Sequence, residues 1–211
     1  PAGRRMPILA TALHGVGANI ALGALVTAAF VANSAAVVGS ALVGASCALV
    51  GIVFLGVGLV AAQLMPTARG ANTVAVWFLV VTFVLAGIGN ALGTPSSDLT
   101  RMQSSWLTRL SPFGWAENVR AFDADAAGPL ALLAVAAVVS VAAAAVLQSR
   151  RDIGASFVPE STGRARARAD FGSNFALVAR QSSASLVGWI VAGLLTGVLA
   201  TSLGAVASQI G

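Results

Sequence analysis

Between Leu110 and Gly154 the chain reads LSPFGWAENVRAF, then DADAAG, then an uncharged run from Pro129 to Gln148, and then SRRDIG. The first block is rich in aromatic and helix-forming residues, and an acidic block separates it from the apolar run. About 20 mostly apolar residues in a helix cross the hydrocarbon core of a bilayer. The stretch therefore predicts an aromatic patch on one side of a membrane, a single crossing, and a double arginine on the other side.

The composition excludes an ordinary soluble protein. Of the 211 residues, 57% are hydrophobic and 9% are charged, and the mean hydropathy is +0.89. A soluble domain carries about 25% charged residues. The net charge of +5 comes from arginines that lie between apolar runs, which indicates membrane orientation and not nucleic-acid binding. We predict an all-α fold, a polytopic transmembrane helical bundle with short interfacial helices on the outer side.

Five apolar runs are long enough to be spans. They cover 7–31, 36–62, 72–92, 129–147 and 186–206. Asn72 is expected to cap the third span after a basic loop at 63–71. Small residues let helices approach closely in lipid, and four glycines are expected to serve this packing: Gly44, Gly51, Gly193 and Gly197.

The arginines set the orientation. Nine of the twelve lie before the first span, around Arg69, or within 150–180, whereas three lie within 93–128 beside four acidic residues. Cytoplasmic loops carry the excess of basic residues, so we place the start of the chain in the cytoplasm and 93–128 outside. The charges that fix this orientation are Arg69, Arg150, Arg151 and Asp152.

The outer segment is predicted to begin with a short helix. A serine at 96 or 97 would cap it, and its apolar stripe would be Leu99, Met102, Trp106 and Leu110, at spacings of three and four. Such a helix is too short and too charged to span, so we expect it to lie in the interface or to dip partly into the membrane. The alternative is a surface loop anchored by its two tryptophans.

A second short helix should follow. Ser111 and Pro112 break the first helix and start the next, because proline suits the first helical position. The stripe of this second helix would be Trp115, Val119 and Phe122. The chain then divides into four spans within 1–148, a basic cytoplasmic linker at 149–173, and an interfacial helix with a fifth span within 174–211.

The sequence contains few of the residues and motifs that are typical of catalytic, metal-binding or ion-coupling sites. No Asp, Glu, Lys or Arg lies near the middle of any predicted span, which disfavours a proton- or ion-coupled transporter. One cysteine and one histidine cannot form a metal cluster. No nucleophile elbow or phosphate-binding loop occurs, so we predict no catalytic residue, no metal site and no bound cofactor.

Three blocks carry a resemblance to a known family. They are LSPFGW at 110–115 before a span, RRDIG at 150–154 after it, and Arg180 with Gly188 and Trp189 at the start of the next span. Because these three blocks occur in this order, the chain resembles the large permease subunits of bacterial ATP-binding-cassette exporters of the polyketide-antibiotic (tetronasin-type) class. The resemblance covers essentially the whole chain, although the first two spans match by hydropathy only.

The resemblance implies a topology. Each permease half in that family has six spans, with helices on the outer side between the fifth and the sixth. The first four spans here would be the third to sixth of a first half, and the span from Leu186 would open a second half. We therefore expect the chain to be an internal piece of a longer permease in the plasma membrane of a bacterium, packed against the remaining spans.

The resemblance also implies a mechanism. A separate ATPase subunit, which would hold ATP and Mg²⁺, drives alternating access, and amphipathic or apolar compounds leave the cell. The outer helices would act as a gate, with Trp106, Ser111, Pro112, Phe113, Trp115 and Phe122 as its residues. The alternatives are a piece of a gradient-driven secondary transporter, a membrane-embedded enzyme acting on lipids, and a scaffold that transports nothing.

Overall fold

The computed structural model describes residues 6–95, 102–150 and 173–210. Helices α1 to α5 belong to one compact unit, and α6 belongs to a second. In chain order the elements are α1 (Met6–Ala32), α2 (Val37–Leu64), α3 (Ala68–Ala91), β1 (Thr94–Pro95), β2 (Met102–Gln103), a 3-10 helix (Trp106–Leu110), α4 (Pro112–Asn118), α5 (Ala127–Arg150) and α6 (Asn174–Ile210).

The helical transmembrane bundle predicted from the sequence is confirmed. Helices α1, α2, α3 and α5 are each long and apolar enough to cross a membrane, and α6 adds a fifth candidate if its two bent segments count as one span. Large apolar side chains such as Leu25 and Val138 are more than two-thirds exposed on the bundle. Lipid is the environment in which such a surface is stable. The two strands are only two residues long each.

Helices α1 and α2 form an antiparallel pair joined by a tight turn. The turn closes through the Asn33 N–H, which donates to the Ala29 carbonyl at 3.3 Å. Along the pair, a Cβ placed on Gly23 would lie 2.5 Å from the Gly44 carbonyl oxygen. The Thr27 hydroxyl, which donates to the Gly23 carbonyl at 3.0 Å, lies 3.3 Å from the Ser40 carbonyl of α2. The backbones therefore meet with almost no side chain between them.

Helix α2 also packs in parallel against α5. Ile52 and Val53 of α2 and Leu133 and Ala137 of α5 form the buried apolar cluster of this unit. Leu133 is fully buried. Helix α2 thus holds α1 on one side and α5 on another, which places it at the centre of the bundle.

Two helix starts differ from the prediction. Asn72 does not cap α3, because the helix begins at Ala68, where the Thr67 hydroxyl accepts the Gly70 N–H at 3.1 Å. The predicted basic loop at 63–71 therefore shrinks, and Arg69 lies in the first turn of α3. Helix α5 begins at Ala127, two residues before the predicted start.

Helix α6 is described by itself. The Ser173 hydroxyl accepts the Ala176 N–H at 3.2 Å at the helix start. The helix bends by 49° between Asn174–Ser183 and Ser185–Leu194. At Gly193 and Gly197 the space that a Cβ would take is open within the described part of the chain. Arg151 and Asp152, named above as orientation charges, lie outside the described residues.

Candidate functional site

Residues 102–126, called here the connecting segment, join α3 to α5. They lie at the end of the bundle where α1 and α3 finish and α2 and α5 begin, which we call the distal end. The opposite end is called proximal. Arg69 and Arg150 both lie at the proximal end, in the first turn of α3 and at the last residue of α5. The connecting segment carries Arg109 and Arg120 among its own charges.

The start of the connecting segment corrects the predicted first helix. Met102 lies in a strand, paired with Pro95 in an antiparallel ladder, and not on a helical stripe. The 3-10 helix begins only at Trp106. Strand pairing and the bond from the Ser105 N–H to the Gly89 carbonyl, at 2.9 Å, hold the chain extended over this stretch. The predicted cap at 96 or 97 and Leu99 lie outside the described residues.

A buried threonine ties the segment to α3 and to α4. Thr108 is 1% exposed, and its hydroxyl donates to the Ser105 carbonyl at 2.9 Å. A Cβ on Gly89 of α3 would come within 2.6 Å of the Thr108 methyl group. A Cβ on Gly114 of α4 would meet the Thr108 carbonyl oxygen. Both helices therefore need glycine where they touch Thr108.

The start of α4 follows the prediction. Ser111 is fully buried, its hydroxyl accepts the Phe113 N–H at 3.2 Å, and Pro112 occupies the first turn. The Asn118 amide donates to the Gly114 carbonyl at 2.6 Å.

The end of α4 does not follow the prediction. The helix stops at Asn118, so Val119 and Phe122 do not extend a helical stripe. The backbone φ is 49° at Arg120 and 70° at Phe122, and these left-handed conformations end the helix. The Arg120 carbonyl accepts the N–H groups of Asp123, Ala124 and Asp125 at 3.0 to 3.2 Å. A tight turn therefore replaces the last helical turn that the apolar spacing predicted.

Phe113 reaches deep into the bundle. Its ring centroid is 5.1 Å from that of Phe54 on α2 and 5.7 Å from that of Phe83 on α3, with the second pair edge to face. At about 1.5 Å per residue, Phe54 lies about 25 Å from the start of α2, and Phe83 lies about 12 Å from the end of α3. The Phe113 ring therefore packs between α2 and α3 and not at the rim of the bundle.

The segment then returns to the distal end. The Phe122 ring packs on Gly39, near the start of α2, and its centroid is 5.7 Å from that of Phe30, near the end of α1. The connecting segment thus enters the bundle beside α3, turns at Phe113, and leaves beside α1 and α2. The segment therefore touches all four spans of the unit.

The predicted gate residues separate into two groups. Ser111, Pro112 and Phe113 lie in the inward turn, whereas Trp106 is 66% and Phe122 is 46% exposed nearer the surface. Trp115 contacts both regions. Its ring packs against the buried cluster, and its Nε1 donates to the Arg109 carbonyl at 2.6 Å.

Four residues share the contact around the buried threonine, and the sequence predicted this role for none of them, although Gly114 lies in the block at 110–115. They are Gly89, Thr108, Gly114 and Asn118. A glycine between two aromatic residues, as in FGW, was the available signal for one of them. Thr108 and Asn118 had no signal, because their roles depend on residues far away in the chain.

A cleft of about 420 Å³ opens beside this segment. Its wall combines two arginines with apolar and aromatic groups, and its larger lining residues are Arg109, Trp115, Asn118, Arg120, Pro129 and Leu132. On the other side of α4, the Glu117 carboxylate accepts the Asn90 amide at 2.7 Å, which ties α4 to the end of α3. Among the described residues no cluster of His, Cys, Asp or Glu could hold a metal ion.

The chain is similar to a curated protein. It is 35% identical, over 202 residues that make up 95% of this chain, to a multidrug efflux system permease protein of Mycobacterium tuberculosis. The chain spans 35% of the length of that relative. No protein-family model matches the chain.

Proposed function

We propose that this chain is part of the permease component of an ATP-driven exporter that moves amphipathic or apolar, drug-like compounds out of a bacterial cell. The observation that carries the proposal is the 35% identity, along 95% of the chain, to a multidrug efflux system permease. The blocks at 110–115 and 150–154 support the narrower assignment to the polyketide-antibiotic exporter class.

The connecting segment is suited to act as the external gate. Phe113 touches α2 through Phe54 and α3 through Phe83, so a change in the distance between those helices moves α4. A separate ATPase subunit, holding ATP and Mg²⁺, would draw the proximal ends together. The spans would then tilt, the aromatic contacts would separate, and α4 would open a path at the distal end.

The charge distribution favours an orientation with the proximal end in the cytoplasm, and it favours apolar or amphipathic substrates. Arg69 and Arg150 lie together at the proximal end, which the positive-inside rule assigns to the cytoplasm. The charged residues of the described spans α1, α2, α3 and α5 lie at helix ends, namely Arg69 and Arg150. The path that these spans offer suits apolar and amphipathic compounds, because an ion would need a charged or coordinating group within it.

Reconstitution tests the proposal. The complete permease would be placed in vesicles with its ATPase subunit, and efflux of an amphipathic fluorescent dye would be measured with ATP, with an inactive ATPase variant, and with an uncoupler. We expect efflux to require active ATPase and to resist the uncoupler. Efflux that survives loss of the ATPase and stops with the uncoupler would contradict the proposal and establish gradient-driven transport instead.

The gate itself is tested at Phe113. Phe113→Ala removes two aromatic pairs worth about 0.5–1.5 kcal/mol each, so we expect the coupling of dye efflux to ATP hydrolysis to fall about tenfold. Phe113→Leu keeps most of the side-chain volume, so we expect the coupling to fall less in this variant. Phe175→Ala, at an 83% exposed position of α6, is the control. Equal coupling in Phe113→Ala and in the control would show that Phe113 is not part of the gate.

A further inference from the structure

The cleft beside the connecting segment has an apolar wall and a basic wall. Trp115 and Leu132 form the apolar side, and Leu132 is 46% exposed. Arg109 and Arg120 supply the basic side. Trp115 also fixes the basic side, because its Nε1 donates to the Arg109 carbonyl at 2.6 Å. The cleft therefore offers hydrocarbon contact and positive charge within a few residues of each other.

The positive charge of the cleft is not neutralised by its own wall. None of the described residues that line the cleft is acidic. Two carboxylates of the connecting segment do not line the cleft: Glu117 accepts the Asn90 amide of α3, and Asp125 accepts the Phe122 N–H at 3.0 Å. Two guanidinium groups with ten N–H donors between them bind oxyanions in a forked geometry.

The backbone at Arg120 would suit glycine better than arginine. Its φ of 49° lies in the left-handed region, where a residue with a Cβ is less stable than glycine by about 1 kcal/mol or more. The turn is made by the Arg120 carbonyl, which accepts three N–H groups. Glycine would make the same turn with less strain. The hydrogen bonds of the turn therefore do not use the arginine side chain, and Arg120 is one of the residues that line the cleft.

The shape of the cleft sets the size of the ligand. Its volume of about 420 Å³ holds a polar head with the first part of a chain and is too small for a whole large lipid. The start of α5, at Gly128 and Pro129, lines the same space and turns the positive end of that helix toward it. The rest of an apolar chain could continue along the exposed side chains of α5.

We propose that this cleft binds the anionic head of an amphiphile, a phosphate or carboxylate that carries an apolar chain, between Arg109 and Arg120. The site does not depend on the proposed function, because it would bind such a head whether or not the protein exports anything. The same chemistry occurs in an anionic bilayer lipid and in a free amphiphilic acid, and the experiment separates these sources.

Photolabelling of the complete permease tests the site. The protein would be placed in nanodiscs of neutral lipid and labelled with hexadecyl phosphate that carries a diazirine near the head, and with the dimethyl ester of the same probe. Labelled peptides covering 106–132 would be quantified by mass spectrometry. We expect the phosphate to be preferred about tenfold over the ester, since a hydrogen bond to a charged group contributes about 1.5–3 kcal/mol.

Three variants test which arginines cause the preference for the phosphate probe over its ester. Arg120→Gly suits the left-handed backbone and should leave the thermal unfolding temperature unchanged while reducing the phosphate preference about tenfold. Arg109→Gln should reduce it by a similar factor. Arg69→Gln, an exposed arginine at the proximal end, is the matched control and should change nothing.

The outcomes are separable. If added phosphatidylglycerol displaces the probe, the occupant is a bilayer headgroup. If phosphatidylglycerol does not displace it while labelling stays saturable and arginine-dependent, the occupant is a free amphiphilic acid. Equal labelling by phosphate and ester, or a phosphate preference that survives both cleft variants, overturns the proposal.

Discussion

Two regions of this protein solve the problem of packing in lipid in opposite ways. Helices α1 and α2 meet backbone to backbone at Gly23 and Gly44, with almost no side chain between them. The connecting segment instead fills the space between spans with large rings, as Phe113 does between α2 and α3. The first solution needs only regular helices and small residues. The second needs an irregular chain held in one conformation.

The difference follows from the backbone. Within a helix every central N–H and carbonyl is paired, so small residues and close approach are enough for association in lipid. A non-helical chain at the same depth must find partners one by one. The segment does so through the Ser105 N–H to the Gly89 carbonyl, the Ser111 hydroxyl to the Phe113 N–H, and the Asn118 amide to the Gly114 carbonyl.

The largest effect is expected where the two backbones of the first region meet. A leucine at Gly44 would drive its side chain into the Gly23 carbonyl and the Thr27 hydroxyl. Overpacking costs about 1–3 kcal/mol in a core that can adjust, and these partners are backbone, so we expect about 3 kcal/mol or more. The measurement is the thermal unfolding temperature and the folded yield of the purified complete protein.

The control for Gly44→Leu lies in the same helix. A Cβ at Gly58 meets nothing within 4 Å among the described residues, so Gly58→Leu should unfold at the wild-type temperature. Similar losses in the two variants would show that leucine is harmful anywhere in α2, and that the close contact with α1 is not the cause.

A smaller effect is expected in the connecting segment. Gly114→Ala places a Cβ against the Thr108 carbonyl, so the segment must shift at a cost of about 2 kcal/mol. We expect hydrogen exchange of the amides of 105–119 to rise roughly 30-fold, while the spans keep their protection. Gly128→Ala is the matched control, because its Cβ meets nothing within 4 Å in the described residues. Faster exchange across α1 and α2 as well would mean that the two regions unfold together.

The same contrast decides what could be predicted from the sequence. Hydropathy located the first four spans to within a few residues, because a span is a local property of about 20 residues. Ser111 and Pro112 located the start of α4 for the same reason, since a cap and a first-turn proline act on their own helix.

Residues whose conformation depends on distant partners were not predicted. The helical stripe through Met102 was wrong because Pro95 pairs with it, and the stripe through Phe122 was wrong because that ring packs on Gly39. Neither contact leaves a periodic signal in the chain. The buried Thr108 was missed for the same reason, as its neighbours Gly89 and Gly114 lie on two different helices.

The smallest effect is expected from a comparison of the helix cap of α4, in the connecting segment, with the helix cap of α3. Each of the two caps accepts one backbone N–H. The Ser111 hydroxyl accepts the Phe113 N–H at 3.2 Å, and the Thr67 hydroxyl accepts the Gly70 N–H at 3.1 Å. Ser111 is fully buried, whereas Thr67 is exposed. Without the threonine hydroxyl, the exposed N–H at Gly70 can bind water, whereas we expect the N–H at Phe113, beside a buried side chain, to find water less readily. Loss of a cap costs about 1 kcal/mol on average, so we expect about 1–2 kcal/mol for Ser111→Ala and about 0.5 kcal/mol for Thr67→Ala.

Hydrogen exchange at the two capped amides measures this difference directly. The Phe113 amide should exchange roughly 5- to 30-fold faster in Ser111→Ala, and the Gly70 amide about 2-fold faster in Thr67→Ala. Ser111→Thr, which keeps the hydroxyl, should restore protection at Phe113 if the added methyl group fits beside Pro112. An equal loss at the two caps would mean that water reaches Phe113, and the connecting segment would then line a hydrated path at the depth where its ring touches Phe54.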